Sequence, residues 1–204
     1  MNGLPLAGKV AVLIGAGNAT DRAVVVALAE AGADVALATT GHTQAEEFAM
    51  NSIANEAWVI GREQFVTVMD ALDDTAVVAF ADQVWDRYGR CDAVVCGHDA
   101  PSAIVLDEIA PHEWDATIAA NLKGPFLAAQ AFGRLMERQG GGTIVLLHHA
   151  DAGDAAYRAA QAGLAGISEA VAAWQQHGTR ASIVDAAADP ARTAEDVLGA
   201  ISGV

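Results

Sequence analysis

A glycine turn near the N-terminus has the residue types and spacing that bring a protein backbone close to a phosphate. The stretch from Gly15 to Ala19 reads Gly-Ala-Gly-Asn-Ala and follows the apolar, β-branched run 9–14. An Ala- and Leu-rich helix is predicted over 23–31, and a second short strand over 35–38. Small residues at the start of a helix leave room for a pyrophosphate, which the helix N-terminus attracts. The stretch therefore predicts a βαβ unit, the first half of a nucleotide-binding fold.

Polar side chains with metal-binding chemistry follow two other predicted strands: His98 and Asp99, and then His148, His149 and Asp151. Neighbouring parallel strands end at the same edge of a sheet. Because successive residues of a strand point in opposite directions, at most one of His148 and His149 can converge with His98. Two histidines and an aspartate could hold a divalent metal. The alternative, which we favour, is that these residues fill a vacated cofactor cleft, so we predict no metal.

Apolar strands alternate with helices along the whole chain. Strands are predicted over residues 9–14, 35–38, 65–69, 93–96, 143–147 and 181–184. Helices are predicted over residues 23–31, 43–60, 73–88, 111–136, 157–176 and 193–201. Pro125 predicts a bend in the fourth helix, since proline has no N–H to donate. The alternation predicts an α/β fold: a Rossmann-like, doubly wound parallel sheet of six or so strands, with helices on both faces in three layers.

Composition narrows the classes of partner. We expect the 204 residues to form one domain, residues 1–204, with a sizeable core. A net charge of −15 and only two lysines argue against a nucleic acid or an anionic membrane as partner. No segment is apolar enough to span a bilayer and no signal-peptide pattern is present, so we expect a cytoplasmic protein. Cys91 and Cys96 lack metal or redox spacing and are expected to be buried.

Six features, in order, resemble the short-chain dehydrogenase/reductase family over nearly the whole chain: LAGKVAVLIGAG, Asp70, DRYGRCDAVV, EWDATIAANLKGPFLAAQAF, GGTIVLL and YRAAQAGLAGISEAVA. The resemblance implies an NAD(P)-binding fold and hydride transfer between the nicotinamide and a carbonyl or alcohol. It implies cofactor contacts at Gly15, Gly17, Asn18, Ala19, Thr39 and Asp70, the last with the adenine. Thr39 and Thr40 include no acid for a ribose diol and no arginine for a 2′-phosphate. The missing acid favours NADP, and the alternative is that no cofactor binds.

The residues implied to be catalytic are retained at two positions and replaced at two. Asn121 and Tyr157 match the family's Asn and Tyr, whereas His149 replaces its Ser and Gln161 its Lys. A nearby cation makes tyrosine a usable acid at neutral pH, and glutamine has no charge. The chain also lacks the substrate-binding loop and the last strand that the resemblance leads one to expect.

Asp21 stands where the family's turn has its third glycine. Its carboxylate would lie near the cofactor pyrophosphate. Two unit charges about 4 Å apart repel by roughly 4 kcal/mol at an effective dielectric of about 20. The alternative, which we favour, is that Asp21 and Asn18 simply cap the helix that follows.

These replacements lead to competing functions. The favoured prediction is a family member that is impaired or inactive as a dehydrogenase and acts as a structural, regulatory or oligomerising subunit. It would form a homodimer through helices 111–136 and 157–176, or a heteromer with an active paralogue. The alternative is an NAD(P)-dependent oxidoreductase that uses Tyr157 as the acid and His149 in place of the usual Ser. A third function is a sensor that binds a nucleotide without turnover.

Overall fold

The computed structural model describes residues 3–39, 43–149 and 153–203. Within these residues, six strands form one sheet: β1 (Val10–Gly15), β2 (Asp34–Thr39), β3 (Gln64–Val68), β4 (Ala93–Cys96), β5 (Gly142–His148) and β6 (Thr179–Asp185). They lie in the order β3-β2-β1-β4-β5-β6, and every neighbouring pair is parallel. The order reverses between β1 and β4, which makes their carboxyl ends the topological switch point. The predicted doubly wound sheet is confirmed.

In the described part of the chain, seven α-helices flank the sheet: α1 (Ala19–Glu30), α2 (Gln44–Val59), α3 (Asp74–Tyr88), α4 (Pro111–Ile118), α5 (Gly124–Gln139), α6 (Ala155–Val171) and α7 (Pro190–Ser202). One core packs α3, α5 and α6 against the sheet, and a second packs α1, α2 and α7 against the opposite face. Successive residues of β1 alternate between the two cores, because both faces of a parallel sheet are covered. In the part of the chain that the structure describes, no helix is long and apolar enough to cross a membrane.

The helix predicted over 111–136 is interrupted, which corrects the expectation of one bent helix. α4 ends at Ile118, the π-helical segment Ala119–Lys123 follows, and α5 begins at Gly124. The N–H of Gly124 bonds to the carbonyl of Ala119, five residues back. Pro125 has no N–H to donate to the i−4 carbonyl of an α-helix. The helical turn immediately before it therefore contains one extra residue. The predicted bend is therefore a π-helical segment centred on Asn121.

The first helix begins four residues earlier than predicted, at Ala19 rather than at residue 23. Asn18 Oδ1 accepts a hydrogen bond from the N–H of Asp21 at 2.9 Å, and Asp21 Oδ2 accepts one from the N–H of Asn18 at 3.2 Å. This reciprocal pair is a capping box, which satisfies two donors at the helix start. The prediction that Asn18 and Asp21 cap the helix is confirmed.

Both cysteines are free and buried, as predicted. Cys91 and Cys96 lie at 0% and 6% exposure in the core that contains α3 and α5. Burial raises the pKa of the Cys96 thiol to about 12 and that of Cys91 well above its ordinary value. Both thiols therefore stay protonated and act as small apolar side chains.

Candidate functional site

The turn between β1 and α1 is a backbone cradle that holds an anion from within the chain. The N–H groups of Ala16, Gly17 and Asn18 donate to Asp21 Oδ2, with N···O distances of 2.9, 2.8 and 3.2 Å. A Cβ placed on Gly15 would lie 2.5 Å from the same oxygen, and one on Gly97 would lie 2.8 Å from Asp21 Oδ1. The carboxylate thus sits between the chain segments that leave β1 and β4, at the switch point of the sheet.

Asp21 is held in this position against a large desolvation penalty. Its side chain is fully buried, and Oδ1 has no hydrogen-bond partner among the residues that the structure describes. Burial raises the pKa of Asp21 to about 6, although the three backbone N–H bonds act in the opposite direction. At neutral pH the cradle therefore holds an ionised carboxylate with one oxygen satisfied and the other not.

The cradle has the features that the phosphates of a dinucleotide require. Three N–H groups converge on one point at a helix N-terminus, and the Asp21 carboxylate stands in for a phosphate oxygen. Gly17 has a backbone φ of 77°, which residues other than glycine rarely adopt. The backbone therefore fits an anionic group, provided that Asp21 leaves the cradle.

The structure places the other implied cofactor residues at the same edge. Thr39, which ends β2, is the register partner of Gly15 and is fully buried. Asp70 lies just beyond β3, exposed, and its Oδ1 accepts a hydrogen bond from the N–H of Leu72 at 2.8 Å. Thr40 lies outside the described residues. These positions form one row along the carboxyl ends of β1, β2 and β3.

Tyr157 lies near the start of α6 and is 1% exposed. Its hydroxyl donates a hydrogen bond to Asp99 Oδ1 at 2.6 Å. Burial, and after it the Asp99 carboxylate, raises the pKa of Tyr157 well above its ordinary value. A carboxylate therefore faces this hydroxyl where the family resemblance implies a cation, and Tyr157 stays protonated at neutral pH.

Asp154 fixes the backbone that carries Tyr157. Its Oδ1 accepts a hydrogen bond from the N–H of Tyr157 at 2.9 Å, which caps α6. Its Oδ2 accepts one from the Ser102 hydroxyl at 2.6 Å. The Ser102 hydrogen bond, together with the bond from the Tyr157 N–H, holds the pKa of Asp154 below its ordinary value. The chain after β4 and the start of α6 are thus joined by a charged cap.

His149 and Gln161 meet at the end of β5. His149 Nδ1 lies 3.8 Å from Asp99 Oδ2, and His149 Nε2 is buried without a hydrogen-bond partner in the described part of the chain. Gln161 Oε1 accepts a hydrogen bond from the N–H of His149 at 3.0 Å. Gln161 therefore positions the backbone of His149 and brings no charge to Tyr157.

Asn121 is buried and joins the π-helical segment to the chain after β4. Its Nδ2 donates to the carbonyls of Ala100 and Thr117, both at 2.9 Å, and its Oδ1 accepts from the N–H of Ala100 at 3.0 Å. Since Ala100 follows Asp99, the amide of Asn121 fixes the loop that presents the carboxylate to Tyr157. π-Helical segments often accompany functional sites, because they aim one side chain out of helical register.

The segment 98–100 thus links all four residues that the resemblance implies to be catalytic. Tyr157 and His149 face Asp99, Asn121 holds Ala100, and Gln161 holds the backbone of His149. The sequence predicts that Asp99 fills a vacated cofactor cleft, with a metal ligand as the other interpretation, and it does not predict the contact with Tyr157. The available signal was an acid three residues after a central strand.

The histidines at the end of β5 point in different directions, as strand alternation predicts. His148 Nδ1 lies 2.7 Å from Asp185 Oδ1 of β6, whereas His149 faces Asp99. Asp151, the fifth candidate ligand, lies outside the described residues. Within the three described stretches, no group of three or more His, Cys, Asp or Glu side chains could hold a metal ion.

Comparisons with known proteins match this chain to one family and its fold. Residues 9–193 match the family model described as short chain dehydrogenase. D-threitol dehydrogenase of Mycolicibacterium smegmatis is 32% identical over 185 residues, which cover 88% of this chain and 69% of that protein.

Solved structures give the same result. A metagenomic short-chain oxidoreductase in complex with NADP has a TM-score of 0.84 and 29% identity, with 97% of this chain and 92% of that chain covered. A short-chain dehydrogenase/reductase from Burkholderia xenovorans has a TM-score of 0.87 and 24% identity, with 97% and 90% covered, and shows the shared fold.

Proposed function

We propose that this chain, which belongs to the short-chain dehydrogenase family, is an NAD(P)-dependent oxidoreductase that reduces a carbonyl compound. The observation that carries the proposal is the buried Tyr157 hydroxyl, which is held protonated by Asp99 at the position of the family's acid. The metagenomic relative that holds NADP is covered over 92% of its length, so a chain of similar length is compatible with a bound dinucleotide. This comparison favours the oxidoreductase over the inactive subunit that the sequence analysis preferred.

The proton chemistry follows from the residues around Tyr157. A bound reduced nicotinamide supplies the hydride. Tyr157 turns its hydroxyl from Asp99 to the substrate oxygen and donates the proton that completes the alcohol. His149 Nε2 is the second donor to that oxygen, in place of the family's Ser. Asp99 keeps Tyr157 protonated at neutral pH, which is the form that carbonyl reduction needs, but the same carboxylate makes Tyr157 a weaker acid.

Among the dinucleotides, NADP is the better supported ligand. The last residue of β2 is Thr39, which has no carboxylate to bind a free ribose diol. Among the solved relatives, the metagenomic oxidoreductase holds NADP and a xylitol dehydrogenase that is 22% identical holds NAD+, so the choice of NADP rests on the missing acid. Gly15, Gly17, Asn18 and Ala19 would hold the phosphates, and Thr39 and Asp70 would lie along the adenosine half.

Substitution of Tyr157 by Phe should lower kcat for carbonyl reduction by at least about 100-fold, because general acid catalysis contributes roughly that factor or more. The measurement follows NADPH and NADH absorbance with a panel of aldehydes and ketones. The affinity for the dinucleotide should not change. Tyr88→Phe is the matched control, since Tyr88 is the other of the two tyrosines and donates to the Val35 carbonyl instead. A wild-type protein that reduces no carbonyl with either dinucleotide would contradict the proposal.

A second candidate function is the non-catalytic subunit, and two observations favour it: Asp21 occupies the phosphate cradle, and Tyr157 is almost fully buried. On this proposal the protein acts through its surface. Calorimetric titration separates the two functions, since the subunit predicts no heat with NADH or NADPH at millimolar concentration. Carbonyl reduction that Tyr157→Phe abolishes would rule the subunit out.

We also propose a homodimer through α4, α5 and α6, with a heteromer with an active paralogue as the alternative. Small residues of α6 leave a groove against the helices before it, which is apolar apart from Lys123 and is lined by Ile118, Leu122, Lys123, Phe126, Gly163, Gly166, Ile167 and Ala170. Phe126 lines this groove and is 46% exposed. An exposed apolar groove of this kind suits a second protein surface.

The dimer proposal predicts that Phe126→Arg converts a dimer to a monomer in light scattering at micromolar concentration, because a buried unpaired charge opposes association. Phe48→Arg on α2 is the matched control, since Phe48 is 74% exposed and lies on the other side of the sheet. It should leave the mass unchanged. A wild-type monomer would contradict the dimer.

A further inference from the structure

We propose that Asp21 is an internal competitor for the phosphate site: its carboxylate must leave the cradle between β1 and α1 before a dinucleotide can enter. This one side chain would then determine how tightly the protein binds its cofactor. The inference rests on the proposed function in one respect, namely that the ligand is a nicotinamide dinucleotide.

The donors of the cradle are the first argument. Asp21 Oδ2 accepts the N–H groups of Ala16, Gly17 and Asn18, so an arriving phosphate would find these three donors already engaged. Backbone N–H groups at a helix start are what an anion needs at such a site. A dinucleotide phosphate and the Asp21 carboxylate therefore compete for the same hydrogen bonds.

The available space is the second argument. Gly15 and Gly97 have no side chains, which leaves the volume that a ligand close to the backbone would need. The Asp21 carboxylate lies between these two glycines and fills that volume. Built Cβ atoms at these glycines would lie 2.5 Å and 2.8 Å from the Asp21 carboxylate. The ligand and the side chain cannot share this volume.

The energetics of exchange are the third argument. Asp21 Oδ1 is buried without a partner in the described stretches, so movement of the carboxylate into water restores hydration that the cradle withholds. The helix keeps part of its cap, because Asn18 Oδ1 still accepts the N–H of Asp21. Departure of the side chain is thus a local rotation that leaves the start of α1 formed.

Calorimetric titration with NADPH and NADH tests the proposal on the wild type, Asp21→Asn and Asp21→Gly. Asn removes the charge but keeps the shape, and we expect its dissociation constant to be on the order of 10-fold lower than that of the wild type. Gly also frees the donors and the space, and we expect a decrease of roughly 100-fold. Asp82→Asn, an equal charge change on an exposed position of α3, should bind as the wild type does. If Asp21→Gly fails to fold, Asp21→Asn alone decides, because it retains an acceptor at the cap.

Each outcome separates this inference from the proposed function. Equal, tight binding by the wild type and both variants would overturn the competition and leave the oxidoreductase standing. Tighter binding by the variants, with no carbonyl reduced by any protein, would support the competition and overturn the oxidoreductase. Failure of all three proteins to bind at millimolar dinucleotide would overturn both.

Discussion

Replacement of Asp21 by Asn should remove a pH dependence of stability of roughly 3 kcal/mol. In the folded protein, burial raises the pKa of this carboxyl from 3.8 to about 6, and that difference corresponds to roughly 3 kcal/mol. Well below pH 3.8 the group is protonated in both states and has no effect on the free energy of unfolding. As the pH rises toward 6, the unfolded chain releases the proton first, so stability falls, and above about pH 6 the penalty is fully present.

Urea denaturation of the wild type and Asp21→Asn between about pH 4 and pH 7 measures this effect. The difference in the free energy of unfolding between the two proteins should grow in favour of the variant by roughly 3 kcal/mol over that range. Comparison of the two proteins cancels the contributions of other carboxyl groups, such as Asp92, whose pKa is lowered and which acts in the opposite direction. The sequence pI of about 4.5 requires low protein concentration at the acid end. A difference that stays constant with pH would show that Asp21 is hydrated.

Substitution of Asp99 by Asn should lower the pKa of Tyr157, because it removes a carboxylate in contact with the hydroxyl. Asn keeps an acceptor for the hydrogen bond, so the change isolates the charge. A lower pKa makes Tyr157 a stronger acid, and we expect kcat for carbonyl reduction to rise several-fold. This is the second large effect that the site predicts.

Ultraviolet absorbance of tyrosinate measures the change directly in a Tyr88→Phe background, where Tyr157 is the remaining tyrosine. With Asp99 present, the absorbance should stay flat until alkaline unfolding, whereas in the Asp99→Asn variant it should rise before unfolding begins. Asp107→Asn is the matched control, since Asp107 is exposed on the same connection between β4 and α4. Identical titrations of all three proteins would mean that Asp99 does not face Tyr157 in solution.

Together these results would describe a family site in which carboxylates occupy the positions of the family's cation and of the cofactor phosphate. The family's cation beside the tyrosine is absent, and an anion faces the hydroxyl instead. The cradle that should bind phosphate binds a carboxylate of the same chain. Asp21 lies beside the carboxyl end of β1, and Asp99 lies beyond the carboxyl end of β4. The two acids therefore act on the phosphate cradle and on the Tyr157 hydroxyl at the same switch point of the sheet.

The sequence by itself determined the fold and the local structure of the turn. Continuous apolar strands indicate burial on both faces of the sheet, and Asn18 and Asp21 indicate a helix cap. Both patterns can be recognised because they depend on residues close together in the chain. The resemblance also led to Tyr157 and Asn121, which the structure brings to one loop. The expected single-domain organisation and the dimer stay predictions.

Only the tertiary structure decided what the acids at the sheet edge contact. Asp99 and Tyr157 are 58 residues apart, and their hydrogen bond depends on how the chain leaves β4 and how Asp154 starts α6. Asp21 is close to its donors in sequence, but its full burial depends on β4 lying beside β1 and on Gly97. Periodicity and capping are local properties, whereas the direction of a side chain at the switch point is set by loops from distant parts of the chain. For this reason the sequence identified the cradle, and the structure identified the anion inside it.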